Sequence, residues 1–390
     1  MSHSPVFDLL RLDHGLTVEQ RDMAAAVAEY ADNELRPHIA QWFETDHVPV
    51  RELARDMGEL GLLGMHLQGY GCAGTDAVSY GLACLELEAI DSGIRSLVSV
   101  QGSLAMYAIH AFGSDEQKQQ WLPEMAAGLK IGCFGLTEAD FGSNPSGMRT
   151  FAQQDGSDWI LNGSKMWITN GTVADIAIVW AQTDDGIRGF LVPTDTAGFS
   201  ANLVQRKMSL RASLTAELVF NNVRLPHDAL LPAARGLKSA LSCLNEARFG
   251  IVFGAVGAAR DCVETALEYT GAREQFDRPL SGFQITQMKL AEMATKVQTA
   301  FLLALHIGTL KDAHLLNPEM ISVGKFNNVS SALDVARTAR SLLGASGITL
   351  DYPVIRHMTN LESVLTYEGT HEIHGLVIGA KLTGIQAFKN

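Results

Sequence analysis

The chain has 390 residues, 47% of them hydrophobic and 19% charged, and a formal net charge of −13. That length and apolar content suit a soluble globular protein of two or three packed modules around a large core. The acidic balance argues against a nucleic acid as the main partner, though it leaves room for a local basic phosphate pocket.

The N-terminal stretch MSHSPVFDLLRLDHG carries Asp8 and Asp13 and lacks both a basic start and a long apolar run. Neither a secretory signal nor a transit peptide is expected, which points to a bacterial-type cytoplasmic protein, or to the mitochondrial matrix for a matured eukaryotic chain. No uncharged stretch of about 18 residues exists, so no membrane-spanning helix is expected. Cys72, Cys84, Cys133, Cys243 and Cys262 are scattered and show no C-x-x-C, which fits buried thiols in a reducing compartment.

Thr17-x-x-Gln20 has the form of a capping box. Met23, Val27, Tyr30 and Leu35 follow at roughly helical spacing, and Pro37 is expected to kink or end that helix. Further helices are expected over about 50–62, from Ser79, and after the interruption at Ser92-Gly93. Gly69-Tyr70-Gly71-Cys72-Ala73-Gly74 matches G-x-G-x-x-G, with Asp91 about 20 residues on. The segment before it (51–63) is helical in pattern and no second strand follows, so it reads as a loop between helices and not as a nicotinamide site.

The texture changes near residue 130. The short apolar runs 131–134, 159–161, 176–180, 190–192 and 218–220 are separated by Gly, Asn, Asp and Pro, and Asp184-Asp185-Gly186 suits a hairpin turn. This region reads as an antiparallel β module. From about 234 the pattern is helical again. Asn317-Pro318-Glu319 has a cap, a first-turn proline and a first-turn acid. Leu333, Ala336, Arg337 and Arg340 continue that helix, and Gly344-Ala345-Ser346-Gly347 stops it. Four long segments of this kind suggest a four-helix bundle. The fold class is therefore α+β, mostly α: an N-terminal helical domain over 1–129, a middle β-domain over 130–232 and a C-terminal helical bundle over 233–390.

The most informative segment is Tyr367-Glu368-Gly369-Thr370-His371-Glu372-Ile373-His374. Thr370 reads as the N-cap of a last helix. A carboxylate at Glu368, just before that helix and among apolar neighbours, suits proton abstraction, with burial raising its pKa and the helix N-terminus lowering it. His371-Glu372-Ile373-His374 is one residue short of the H-E-x-x-H zinc motif, so no metal is expected. The run from Phe134 through Leu136, Thr137, Gly142 and Ser143 to Asn144 offers backbone amides and hydroxyls to a heterocycle and a diphosphate. Trp167-Ile168-Thr169 offers an indole face and a hydroxyl, and Arg273-x-x-Phe276 with Gln284 offers a bidentate cation.

Together these segments resemble the acyl-CoA dehydrogenases, flavoproteins that desaturate acyl-CoA thioesters between Cα and Cβ. The resemblance runs from about residue 17 to 387 and is nearest to the members that act on glutaryl-CoA. It is carried by Leu87-Glu88-Ala89-Ile90-Asp91-Ser92-Gly93-Ile94-Arg95-Ser96, by Val100-Gln101, by the Tyr367 segment and by Thr383-Gly384-Ile385-Gln386-Ala387-Phe388. It implies FAD, contacted by Phe134, Leu136, Thr137, Gly142, Ser143, Trp167, Ile168, Thr169, Phe276 and Thr370. Arg273, Gln284 and the Gly344 and Gly347 loop are implied to come from a neighbouring subunit of a homotetramer. Glu368 is implied as the base, with its own amide on the thioester carbonyl. Arg95, Ser96, Ser99, Glu88, Ser143, Arg248 and Gly369 are implied around an acyl-CoA substrate.

The implied reaction oxidises glutaryl-CoA and decarboxylates it to crotonyl-CoA, with electron-transfer flavoprotein as acceptor. Neither nucleic acid nor membrane is implied as a partner. The chain departs from the pattern at five positions. Ala139 stands where the family has proline and Asn144 where it has aspartate. Ile94 stands where glutaryl-specific members have tyrosine, and Gly344-Ala345-Ser346-Gly347 replaces G-G-N-G. These departures leave open another short-chain, branched or dicarboxylyl thioester, a variant that keeps the carboxylate, or an oxidase.

Overall fold

The computed structural model describes residues 4–387. Phe388, the last residue of the C-terminal stretch carrying the resemblance, lies outside them.

A short helix, α1 (Pro5–Asp8), buries Val6 and Phe7, and the Phe7 ring lies 4.9 Å from Phe301. Helix α2 (Val18–Tyr30) opens on a reciprocal capping box, with the Gln20 amide donating to Thr17 Oγ1 at 3.2 Å and the Thr17 amide to Gln20 Oε1 at 3.1 Å. Pro37 does not end this run. The chain passes through a π turn (Ala31–Leu35) straight into α3 (Arg36–Thr45), and Pro37 sits in the first turn of α3. The widened turn breaks the regular ladder just where the proline lacks an N–H. Helix α4 (Val50–Glu59) leads through the Gly69–Gly74 connection, which contains no strand, to the wholly buried α5 (Ala77–Glu88). Helix α6 (Ser92–Ser99) starts on an Asp91 cap and continues through a second π segment (Val100–Met106) into α7 (Tyr107–Phe112). Helix α8 (Asp115–Ala126) opens on a further capping box, Ser114 with Gln117.

The sheet comprises β1 (Gly132–Gly135), β2 (Phe151–Asp155), β3 (Asp158–Thr169), β4 (Ile176–Thr183), β5 (Gly186–Pro193), β6 (Phe199–Leu203) and β7 (Thr215–Leu225). Its order is β1-β4-β2-β3-β7-β6, with β5 also paired to β4. The β2–β3, β3–β7, β6–β7 and β4–β5 pairs are antiparallel, the last closing over Asp184-Asp185. Strand β1 runs parallel to β4, and β2 meets β4 in the same sense, because the β2–β3 hairpin intervenes between β1 and β4 in the chain. Alternation along β4 divides the core. Ile176, Ile178 and Trp180 join the helical core, while Ala177, Val179 and Ala181 face the interior of the β region.

A small ladder of β8 (Glu274–Gln275) and β9 (Arg278–Pro279) separates α9 (Gly236–Ala272) from α10 (Gln284–Asp312). Then come α11 (Pro318–Leu342), α12 (Val354–Thr366) and α13 (His371–Thr383). Five C-terminal helices therefore stand where four were expected. The last segment is broken because Glu368 and Gly369 take left-handed conformations, φ +52° and +97°. Thr370 caps α13 by accepting from the Ile373 amide at 3.3 Å. The middle of α9 is buried on all sides, between α5, α10 and α11. The helices of both ends of the chain thus share one apolar core with a face of the sheet. No helix among the described residues is long and apolar enough to cross a membrane.

Candidate active site

The break between α12 and α13 is held by two cations. Lys325 on α11 is 2% exposed and donates from Nζ to the Tyr367 carbonyl and, at 2.6 Å, to the Gly369 carbonyl. Arg248 on α9 donates from Nε to the Glu368 carbonyl at 2.6 Å. The Glu368 carboxylate is left with a buried Oε2 that has no hydrogen-bond partner among the described residues. Burial raises its pKa, and Arg95, Lys325 and Arg248 oppose that rise in this order. Burial lowers Lys325 to about 7, against the pull of Glu368.

Arg95 is 1% exposed. Its Nε donates to Glu88 Oε2 at 2.7 Å and its Nη2 to the Tyr367 hydroxyl. Burial alone lowers the guanidinium's pKa, but Tyr367 and Glu88 hold it above its ordinary value. Nη1 donates to no described residue. Ser92 donates to the other Glu88 oxygen at 2.8 Å. Asp91 does not pair with Arg95 but with Arg356, at 3.0 Å, and with Asn360, at 2.8 Å. Ile94, Ser96 and Ser99 are buried on the same helix as Arg95 or at its end, and Ser99 Oγ has no partner among the described residues. Tyr367 thus ties Arg95 to the segment that carries Glu368.

On the sheet side, Phe134 and Leu136 are buried at the end of β1. The Glu138 carboxylate accepts from the Arg149 and Thr150 amides at 2.7 and 2.9 Å and from Lys165 Nζ at 2.9 Å, pinning both ends of the intervening loop. Gly142 and Ser143 are exposed at its tip, and neither of their amides, nor that of Thr137, donates to a described residue. A bulge in β3 puts Trp167 at φ +66° with its side chain 58% exposed, while Ile168 stays in the ladder opposite Ala216. Thr169 is half-buried beside them. The Met166 amide donates to Thr137 O at 2.8 Å, so the β1 loop and the Trp167 bulge form one open lip. These residues could hold a planar cofactor.

Arg273, Phe276 and Gln284 do not join this group. They lie exposed at the corner between α9 and α10, roughly 25 residues along α9 from Arg248, or about 37 Å at the helical rise. Arg273 shares a surface cleft with Tyr269, Tyr352 and Ser346, the last in the 3₁₀ turn Gly344–Ile348. Gly344 is exposed and Gly347 buried there.

Sequence reasoning missed Lys325 and the hydroxyl role of Tyr367. A signal for Lys325 was present: Ile321, Lys325 and Val329 are spaced on one apolar helix face, where a lysine is out of place without a partner. The two histidines of the C-terminal motif turn elsewhere. His371 stacks on Phe326 at 3.9 Å, and His374 Nδ1 lies 3.0 Å from Ser322 Oγ. Among the described residues no three His, Cys, Asp or Glu gather as a metal-ligand set.

Comparison with known proteins matches this chain to the acyl-CoA dehydrogenase N-terminal domain over residues 17–129, the middle domain over 133–223 and the C-terminal domain over 234–383. A glutaryl-CoA dehydrogenase from Mycobacterium smegmatis superposes with a TM-score of 0.98 at 65% identity, covering 99% of this chain and 100% of that one. A glutaryl-CoA dehydrogenase structure from the same organism in complex with FADH2 gives 0.98 at 63%, with the same coverage. The short-chain specific acyl-CoA dehydrogenase of Clostridium acetobutylicum is 35% identical over 378 residues, 95% of this chain and 100% of its own.

Proposed function

The chain belongs to the acyl-CoA dehydrogenase family, and from that premise we propose that its substrate is glutaryl-CoA, with Glu368 as the base and crotonyl-CoA as the product. The enzyme catalyses acyl-CoA dehydrogenation. The observation that carries the glutaryl reading is Arg95, a fully buried cation linked through Tyr367 to Glu368, with Nη1 free to meet a second carboxylate. A methyl-ended acyl chain has no use for a cation with a donor to spare, whereas a distal carboxylate would accept from it. The 63–65% identity to glutaryl-CoA dehydrogenases, against 35% to the short-chain enzyme, supports the same reading.

The residues of the open lip fit FAD: unpaired amides at Thr137, Gly142 and Ser143 for polar edges and phosphates, and an outward indole at Trp167 for a ring face. FAD, when bound, takes up the two electrons that leave with the β-hydrogen. The remaining work falls to the chain. Glu368 removes the α-proton with its unpartnered Oε2. The charge that then develops on the thioester oxygen calls for preorganised donors, and the Glu368 amide is one, since it donates to no described residue. Arg95 orients the distal carboxylate. Once Cα and Cβ are joined by a double bond, the bond from Cγ to that carboxylate breaks to release carbon dioxide, its electron pair is held in the dienolate of the thioester, and protonated Glu368 returns its proton to Cγ. Arg248, Ser96, Ser99, Ser143 and Gly369 are assigned to the surrounding substrate contacts.

The exposed Arg273, Phe276 and Gln284 corner and the Gly344 turn support a homotetramer in which each subunit completes a neighbour's FAD site. Electron-transfer flavoprotein is the acceptor that the family resemblance supports, in a bacterial cytoplasm or mitochondrial matrix. One observation favours a second reading. Glu88 already neutralises Arg95, so a short acyl chain without a second carboxylate strands no charge there. Anaerobic titration with a panel of acyl-CoAs separates the two. Glutaryl-CoA should bleach the flavin fully at lower concentration than butyryl-CoA or isobutyryl-CoA; the reverse order establishes the second reading.

A further inference from the structure

Three consecutive carbonyls, those of Tyr367, Glu368 and Gly369, are all engaged by two cations from two different helices, the buried Lys325 and the half-buried Arg248. This arrangement is unusual in its cost. An ammonium removed from water needs strong compensation, and two carbonyls are a modest return on a charge. A lysine that served packing alone would be replaceable by the Leu or Met that its apolar face favours. The geometry instead meets a specific need. Glu368 sits at φ +52°, a conformation that non-glycine residues adopt at a cost and keep only when their surroundings over-determine it. With all three carbonyls tied back, the amide and Oε2 of Glu368 are the groups left without a partner among the described residues.

We propose that Lys325, acting with Arg248, is the positioning residue that locks Glu368 in its left-handed conformation and so aims both the carboxylate and the amide at the thioester. The inference rests on Glu368 being the base. Lys325 has no substrate contact in this account; it acts through the backbone on either side of Glu368. Its two acceptors require only two N–H bonds, so the lock survives deprotonation of the ammonium. Its positive charge has a separate effect, holding the Glu368 carboxylate in its reactive ionised form. The charged and titratable groups facing Glu368 are Glu88 on α5, Arg95 on α6, Arg248 on α9, Lys325 on α11, Tyr367 at the break and His374 on α13. Burial, with Lys325 and Arg248, drives His374 down to about 3, so it is neutral in the range where the base titrates.

The test compares Lys325→Met and Lys325→Gln holoenzymes with the parent by kcat, KM and the pH profile of kcat/KM. Lys325→Met removes both lock and charge. Its kcat should fall by about 100-fold, the scale of an ångström's misplacement, with KM little changed. The acidic limb should move up by about one pH unit, because loss of a nearby cation raises a carboxylate's pKa. Lys325→Gln keeps two N–H donors without charge, so it should show the same limb shift with a smaller loss of kcat. Should the Met variant fail to fold, the Gln variant is read by the same limb shift. Wild-type kcat and an unmoved limb in either flavin-replete variant overturn the proposal, as does a loss confined to KM. Glu368→Gln serves as the control. If it stays active, the assignment of the base has failed; if it is inactive while both Lys325 variants behave as wild type, only the positioning role has failed.

Discussion

Arg95 Nε lies 2.7 Å from Glu88 Oε2, and the two side chains are 1% and 0% exposed. The pair is closed on one side by α9, where a β-carbon at Gly254 would run into Glu88 Oε2. Arg95 can therefore neither swing toward solvent nor leave Glu88 without stranding a buried charge. Replacement by Arg95→Gln should lower kcat/KM for glutaryl-CoA by about 100-fold or more, with a far smaller effect on butyryl-CoA, since a desolvated charge partner is worth about 3–5 kcal/mol. Steady-state kinetics on the two substrates check this. Equal losses on both would make Arg95 a structural residue.

Glu368→Gln keeps the size and removes the basicity of the side chain. The expected result is a loss of about 10²–10⁴-fold or more in the rate of flavin reduction, with binding of crotonyl-CoA retained. Rapid-mixing absorbance and equilibrium titration measure the two quantities separately.

Gly254→Ala tests the packing behind the Arg95–Glu88 pair. The added methyl meets Glu88 Oε2 first and the rest of its side chain next. A destabilisation of about 1–3 kcal/mol is expected from overpacking. A selective loss of glutaryl-CoA turnover should accompany it, because Glu88 cannot move without releasing Arg95. Denaturant unfolding and the substrate pair used above give both numbers.

Acid stability should depend on buried neutral histidines. Burial lowers His66 to about 4, with Lys311 and His110 adding to the effect and Glu246 opposing it. Neither of its ring nitrogens has a hydrogen-bond partner among the described residues. The folded state therefore binds this proton less readily than the unfolded chain does. As pH falls below about 6.5 the unfolded state gains a proton that the native state refuses, and stability drops by about 1.4 kcal/mol per pH unit for such a group until about pH 4. Above about pH 6.5 the group contributes no pH dependence. His66→Phe should flatten the fall in melting temperature between about pH 6.5 and 5 relative to the parent. An unchanged slope would contradict the assignment.

Much of this fold was legible in the chain because its signals are local. Thr17 and Gln20 announce a helix start through side chains three residues apart, and the apolar runs of β4 and β5 flank an Asp-Asp-Gly turn. The Gly69–Gly74 match was rightly discounted because its flanks are helical. Strands β2 and β6 were missed because each buries at most one residue well and so has little alternation to read. The π segments carry no pattern of their own. Candidate site residues could be read where a short motif carries them, as at Glu368 and Arg95. At Lys325 only its place on an apolar helix face could be read; its partners are backbone carbonyls more than forty residues away, and main-chain acceptors leave no mark on a sequence. The α9–α10 corner is a further case: its residues can be read from the motif, but a single chain does not bring them to Glu368.

The central claim is tested most directly by the mass of the product formed from glutaryl-CoA with an artificial electron acceptor. The account predicts crotonyl-CoA and carbon dioxide in equal amounts. Unchanged glutaryl-CoA, under conditions where butyryl-CoA is converted to crotonyl-CoA, would contradict it.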